Sequence, residues 1–448
     1  MLYPSALDPL FLQFSFAFTS PTYQRWLVLM MSALLTTGRR TVSNQLRTLQ
    51  GLAPGDPSSY HRVFSERVWS LWPLARALAS FILKIWIPEG TVYLAGDDTV
   101  IEHRGRKVYG KCRHRDAQRS SHSYVAHLFG HKWVVLSILV RFPCASRPWA
   151  LPILMALFRS KKWNQQHGLR HRTAPHLMRQ LLCVLLRWFP ERKFTFTGDG
   201  GFSPHESAAQ AQRHRRSRLT FVGRFHPKAN LYLAPPSDPI PKVGRPRKKG
   251  QKLPSPEEVV AKSRRRRLNV SWYGGERRNV AIVTGTGWWY RSGAALVEVR
   301  WVYVHDLDGT HRDEYFFTTE VTMTPQQLIE TFTQRWSIEV TFEEVREYLG
   351  LETTRGWSEP TVLRMVPCLF GLFSIVALWY AVLPERFRHR VGIQWVGKQT
   401  TTFSDALTAV RRWLWTEGVF KTCDPGHTFS KLPGKLREML LYALAPAA

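Results

Sequence analysis

The spacing of apolar and polar positions divides this chain into a helical start, a strand-rich middle and a helical end. "YQRWLVLMMSALLTTG" carries a long apolar helix pattern with a glycine stop at Gly38, and "RRTVSNQLRTL" after it predicts a second, basic helix. Residues 1–88 therefore read as helical, either a helix-turn-helix or a plain bundle. At "GTVYLAGDDTVIEH", residues 90–103, the period changes to that of a short apolar strand, which ends abruptly in two aspartates. "HKWVVLSILVRF" and "WALPILMALF" follow as further strand-like runs. "TAPHLMRQLLCVLLRWFP" is an amphipathic helix closed by Pro190, and "KFTFTGDGGFS" is a strand running into Gly-Asp-Gly-Gly. Strands alternating with a helix in this way predict an α/β core.

Residues 203–323 differ in character. "PKVGRPRKKGQKLPSP" and "KSRRRRLNV" are basic loop material, followed by the strand patterns "NVAIVTGTG", "ALVEVRWVYVH" and "EYFFTTE". This predicts a β-rich insertion with a basic loop. The core pattern resumes at "TPQQLIETFTQRWSIEV", where Thr324 and Gln327 have capping-box spacing. "VPCLFGLFSIVALWYAVLP", residues 366–384, has the length of a membrane span. It is the only such run and directly follows a charged helix, so the expectation is a buried core helix and no membrane partner. The expected divisions are 1–88, 89–202, 203–323, 324–385 and a C-terminal helical region, 386–448.

Composition narrows the partner. Lys and Arg number 63 against 33 Asp and Glu, a formal charge of +30, which attracts polyanions at long range. With 44% hydrophobic residues and 18 Trp, the chain suits a folded nucleic-acid-binding machine better than a basic tail. Five cysteines without a CxxC pair argue against a disulfide framework or a structural zinc site. The N-terminus lacks a basic n-region and carries Asp8, so it is not read as a signal peptide, and a cytoplasmic, nucleoid-associated protein is expected.

Against this basic background, three places concentrate carboxylates. Asp97-Asp98-Thr99 follows "VYLAG", and adjacent buried aspartates repel unless a cation lies between them. Asp199 sits between Gly198 and Gly200-Gly201, which allow a sharp turn or a close ligand approach. In "QRWSIEVTFEEVRE", at roughly 100° per residue, Ile338, Phe342, Val345 and Leu349 form a core stripe. Phe332, Arg335, Glu339, Glu343 and Arg346 fall beside it, and Glu344 and Glu347 point toward solvent. Glu343 four residues after Glu339 repels it, which a nearby divalent cation would relieve. Two aspartates and a helical glutamate make an oxygen-rich set suited to Mg²⁺ or Mn²⁺, able to support phosphodiester displacement.

Other segments carry weaker signals. Arg245, Arg247, Lys248 and Lys249 in "GRPRKKGQK", and the arginine run at 264–267, read as phosphate contacts. "CRHRDAQRSSHSYVAHLFGHKW", with His114, His122, His127 and His131, also reads as a phosphate-contacting segment, its spacing matching no standard zinc finger. Trp288, Trp289 and Tyr290 are expected in the sheet core, with base stacking as the alternative.

"FTQRWSIEVTFEEVR" resembles the Tyr-x2-Arg-x3-Glu-x6-Lys signature of DDE transposases of bacterial insertion sequences, in the IS-four-like branch with a β-strand insertion before the glutamate. Phe332 stands at the Tyr position, Arg335 at Arg, Glu339 at the catalytic Glu and Arg346 at Lys; "DDT" and "FTGDGG" resemble the two aspartate motifs. Asp-x-Thr spacing selects Asp97 as the first ligand, with Asp98 as the alternative. The resemblance covers about residues 90–385. It implies an RNase H-like core and a homodimer on DNA. It also implies Mg²⁺-dependent cleavage of double-stranded DNA at terminal inverted repeats, followed by strand transfer into target DNA. Asp97, Asp199 and Glu339 would hold the metal, and Arg335 and Arg346 would grip phosphate. The rival expectations are an inactive transposase-derived DNA-binding protein and a basic membrane-associated protein built around residues 366–384.

Overall fold

A computed structural model of the chain describes residues 3–49, 52–116, 119–121, 123–202, 205–213, 218–235, 249–388, 400–423 and 428–446. Arg245, Arg247, Lys248 and His122 lie outside these residues.

Among the described residues, eleven strands form one mixed sheet. They are β1 (Thr91–Glu102), β2 (Cys112–Arg115), β3 (His127–Val140), β4 (Trp149–Phe158), β5 (Lys193–Gly198), β6 (Leu219–Arg224), β7 (Leu231–Tyr232), β8 (Arg266–Ser271), β9 (Arg277–Trp289), β10 (Val297–Asp306) and β11 (Glu314–Thr318). Their order is β2-β3-β1-β5-β6-β11-β10-β9-β7, with β4 paired to β3 and β8 to β9. β1, β5 and β6 run parallel, the remaining pairs antiparallel. The strands of 203–323 thus hydrogen-bond directly onto β5 and continue the same sheet.

Six helices matter for the site: α1 (Ser20–Leu35), α2 (Ala174–Trp188), α3 (Pro325–Gln334), α4 (Ser337–Tyr348), α5 (Glu359–Val382) and α6 (Phe403–Trp413). α2 covers one face of the central strands: its Met178 Cε lies 2.7 Å from where a Cβ on Gly96 would stand. α4 packs on β1 and β4 from the other face, with α5 against β4 behind it. The near-continuous burial of β3 follows from this double coverage, because a strand covered on both faces has no solvent side to keep polar.

α3 begins where the sequence marks it: Thr324 accepts from the Gln327 backbone N–H and the Gln327 side chain accepts from the Thr324 N–H, a complete capping box. Its apolar face closes a second core against β6, β8, β9, β10 and β11, where Phe332 stacks on Phe316 at 4.1 Å. Burying a Phe fully is worth about 1.5–3 kcal/mol, so Phe332 earns its place through packing.

α5 is long and apolar enough to cross a membrane by composition, with mean hydropathy 2.1, but 72% of its most apolar window is buried inside the fold. Two arginines lock the helices together. Arg40, only 4% exposed, donates to the carbonyls of Gly38 at 2.7 Å and of Tyr348 at 2.5 Å, capping the C-terminal end of α4. Arg411 donates to the Leu34 carbonyl at the end of α1. Burial pulls both guanidinium groups down to about 10. None of the five cysteines is disulfide-bonded.

Candidate functional site

The expectation that the strand ends at its aspartates needs correction. β1 continues through Glu102, because β3 pairs with it residue for residue from Leu94 to Glu102. What ends is the other neighbour: β5 stops at Gly198, opposite Gly96. Asp97 and Asp199 are the next residues on two parallel strands and so stand side by side at a notch in the sheet. The two glycines make room underneath. A Cβ on Gly96 would meet the Phe196 ring at 2.4 Å, and one on Gly198 would meet Phe202 Cβ at 2.7 Å.

Strand alternation sends Asp97 and Asp98 to opposite faces. Asp98 pairs with Lys132 at 2.8 Å, and burial pushes its pKa up while Lys132 pulls it down. Asp97 faces α4. Its Oδ1 accepts the Asp98 backbone N–H at 2.7 Å, and its Oδ2 accepts from Arg335 Nη1 at 2.7 Å. The second arm of the same guanidinium, Nη2, donates to Glu339 Oε1 at 2.7 Å. Arg335 therefore bridges the strand aspartate and the helical glutamate. Burial pushes the Asp97 carboxyl up to about 7; Arg335 opposes this, and Asp199 and Asp98 add to it. Burial alone would lower the Arg335 pKa, but Asp97, Glu339 and Asp199 reverse the sign and leave it raised.

Asp199 is held by its own turn. Its Oδ1 accepts the backbone N–H groups of Gly201 and Phe202 at 2.9 and 3.1 Å. Arg346 spans from α4 to β1, donating to Thr99 Oγ1 and the Val100 carbonyl and pairing with Glu352 at 3.3 Å.

α3 and α4 are separate helices. At Arg335 and Trp336 the backbone bonds shift to the i−3 carbonyl, marking a tight turn between them. Glu343 and Glu344 exchange the places expected of them: Glu343 is exposed and Glu344 half-buried. The cause is a second packing partner. Arg147 and the Phe403 backbone at the start of α6 face Glu344, and burial pushes its carboxyl up to about 7. Glu347 stays exposed, as expected.

The far wall of the site comes from the β6–β11 region and was missed from sequence. Arg224, Tyr273, His311, Arg312 and Glu314 line a cleft of about 400 Å³ together with Arg335, Trp336 and Glu339. Arg224 pairs with Glu314 at 2.7 Å. No local pattern brings residues 224, 273 and 311 together, so the sequence carried no signal for this wall.

Other predicted residues lie elsewhere. Lys249 sits 4.3 and 4.1 Å from the rings of Tyr232 and Tyr290, a cation–π clamp at the base of the basic loop. Trp289 belongs to the sheet core beside Phe225 and Phe317. His114 and His131 are buried, and burial lowers both to about 4, so they are neutral and not phosphate contacts.

Asp97 and Asp199 offer hard oxygen donors of the kind Mg²⁺ takes, one or two carboxylates completed by water and phosphate. Glu339 faces Asp97 only through Arg335, and among the described residues no three His, Cys, Asp or Glu side chains converge closely enough to hold an ion. The donor set fits a divalent metal on its two aspartates, while Arg335 stands between Asp97 and Glu339.

No curated protein matches this sequence. Among solved structures, the cryo-EM structure of a piggyBac transposase synaptic complex with hairpin DNA is similar at 12% identity over 96% of this chain and 77% of that chain. Its TM-score of 0.42 is too low for that likeness to carry weight. The family model described as DDE superfamily endonuclease matches residues 13–279, more than half of the chain, and includes Asp97 and Asp199 but stops short of Glu339. On that match the chain belongs to the DDE superfamily endonucleases.

Proposed function

We propose that this DDE endonuclease is a transposase of the insertion-sequence type, with an RNase H-like core, cleaving double-stranded DNA at terminal inverted repeats and joining the freed 3′-OH to target DNA. The observation that carries this reading is the Asp97–Arg335–Glu339 bridge set beside Asp199 at the end of β5. DDE superfamily endonucleases generally depend on divalent metal, and here Asp97, Asp199 and Glu339 would hold it, with Asp98 turned to Lys132.

Bound Mg²⁺ supplies water or hydroxyl activation and stabilises the leaving oxygen in an in-line displacement. The chain's own residues prepare for it. Asp97, desolvated and flanked by two further aspartates, gains by taking up positive charge. Arg335 supplies that charge while no substrate is present and is the group best placed to transfer its fork to a DNA phosphate. Arg346 fixes α4 on β1 and keeps its charge near the same path. The five-part division at 88, 202, 323 and 385, a homodimer on DNA and a cytoplasmic location belong to this reading.

Glu339→Gln tests it: the variant should bind end DNA as tightly as wild type and cleave none of it in Mg²⁺, and retained cleavage would remove Glu339 from the site. One observation favours the rival of an inactive DNA-binding descendant, namely that Arg335 already occupies two of the three carboxylates. Nicking of supercoiled plasmid by the wild-type chain in Mn²⁺ separates the two readings.

A further inference from the structure

The hairpin of β2 and the start of β3 is left unused by the proposed chemistry. It extends the sheet beyond the end of β1, whose last partner on β3 is Gly130. Pairing sets Arg113 opposite Phe129 and Arg115 opposite His127. Cross-strand partners share a face, and all four of these side chains are exposed, whereas Cys112 and His114 on the reverse face are buried. Phe129 is 55% exposed, and Lys111 Nζ lies 5.8 Å from its ring centre. No ion pair holds Arg113 or Arg115 among the described residues. The nearby Asp116 carboxylate pairs with Arg119 at 3.5 Å.

Register ties this face to the carboxylates. Asp97 pairs with Val135 and the β1–β3 ladder runs unbroken to Gly130, so every second residue back along β3, through Trp133 and His131 to Phe129, shares the Asp97 face. Arg346, bonded to Thr99, stands on the path between them. Six residues of strand put Phe129 roughly 20 Å from the Asp97 level, at about 3.3 Å per residue. Along duplex DNA that distance is roughly six base pairs at 3.4 Å each.

We infer that this ribbon face docks duplex DNA beside the cleaved phosphodiester. Arg113 and Arg115 contact backbone phosphates, and Phe129 is presented to the major groove, which is about 12 Å wide and admits a two-stranded ribbon. Phe129 stands exposed among two arginines without an ion pair among the described residues and Lys111, whose ammonium donates to the Gly105 carbonyl. An acidic protein surface could attract the same cations, and a position-129 crosslink to protein and not to DNA would reveal it.

The inference rests on the proposed DNA-cleaving function, and its test separates the two. Binding of a labelled duplex by wild type and by Arg113→Ala/Arg115→Ala is followed by fluorescence anisotropy from 50 to 300 mM salt. The variant should bind more weakly on every sequence, with a log–log salt slope shallower by about 2, near 0.9 per lost phosphate contact. A photo-crosslinking amino acid at position 129 of the full chain should label bases roughly six pairs from the cleavage position. Unchanged affinity and slope, or crosslinks to no DNA or only to distant positions, overturns the inference while wild-type binding remains salt-dependent. Wild type that binds no duplex at all instead overturns the transposase reading. Because these side chains are exposed, the thermal unfolding of both variants should match wild type; if the double variant misfolds, the position-129 crosslink decides.

Discussion

Removing Arg335 should expose how strongly the site depends on it. Arg335→Gln leaves Asp97 buried without a cation, and breaking a buried ion pair from one side typically costs about 3–5 kcal/mol. The Glu339 half of the bridge contributes little, because that carboxylate is 41% exposed and such pairs are worth about 0–1 kcal/mol. Asp97, already pushed up to about 7, escapes part of the cost by taking a proton, so the loss should be smaller at pH 6 than at pH 8. Asp97→Asn removes the stranded charge. In the double variant, unfolding in urea should therefore show a loss smaller than the sum of the single losses by about 2–3 kcal/mol, within the range found for residues in direct contact. Additive losses, with coupling below about 0.5 kcal/mol, would refute the claim that these two side chains depend on each other.

Glu344→Gln gives a pH signature. The folded pKa of about 7 lies above the ordinary value of 4.5, so the native state holds the extra proton, and the group's contribution to stability falls as pH rises from about 4.5 to about 7. The variant should lose that slope, gaining up to about 3 kcal/mol relative to wild type by pH 8 at 1.36 kcal/mol per unit, and parallel pH–stability curves would contradict the assignment. Gly96→Ala should destabilise by about 1–3 kcal/mol, since its Cβ would meet Phe196 at 2.4 Å and Met178 at 2.7 Å; an unchanged melting temperature would show that the notch relaxes freely.

The local signals in the sequence were strong where physics acts locally. The Thr324–Gln327 cap, the helix stopped before Pro190 and the i,i+4 spacing of Arg335 and Glu339 all appear in the structure as pattern and propensity require. Asp97 and Asp98 mark where the apolar run stops, yet β1 passes through them because β3 supplies the hydrogen bonds, and no pattern in β1 alone could reveal that. Glu344 was assigned to solvent because one amphipathic stripe accounted for one packing partner, whereas Arg147 and α6 approach from a second side. The Arg224–Tyr273–His311 wall depends on joining distant strands. Asp97, Asp199 and Glu339 were legible as residue types and spacing; Arg335 was legible as the arginine of the signature, but its bridge from Glu339 to Asp97 was not.

The central claim is that Asp97, Asp199 and Glu339 form one divalent-metal centre when DNA is bound. Mn²⁺ binding to the protein on an uncleavable duplex, read by electron paramagnetic resonance for wild type, Asp97→Asn, Asp199→Asn and Glu339→Gln, tests it most directly. The account predicts bound Mn²⁺ in the wild-type complex that is weakened or lost in each of the three variants. Full wild-type binding in all three would contradict it.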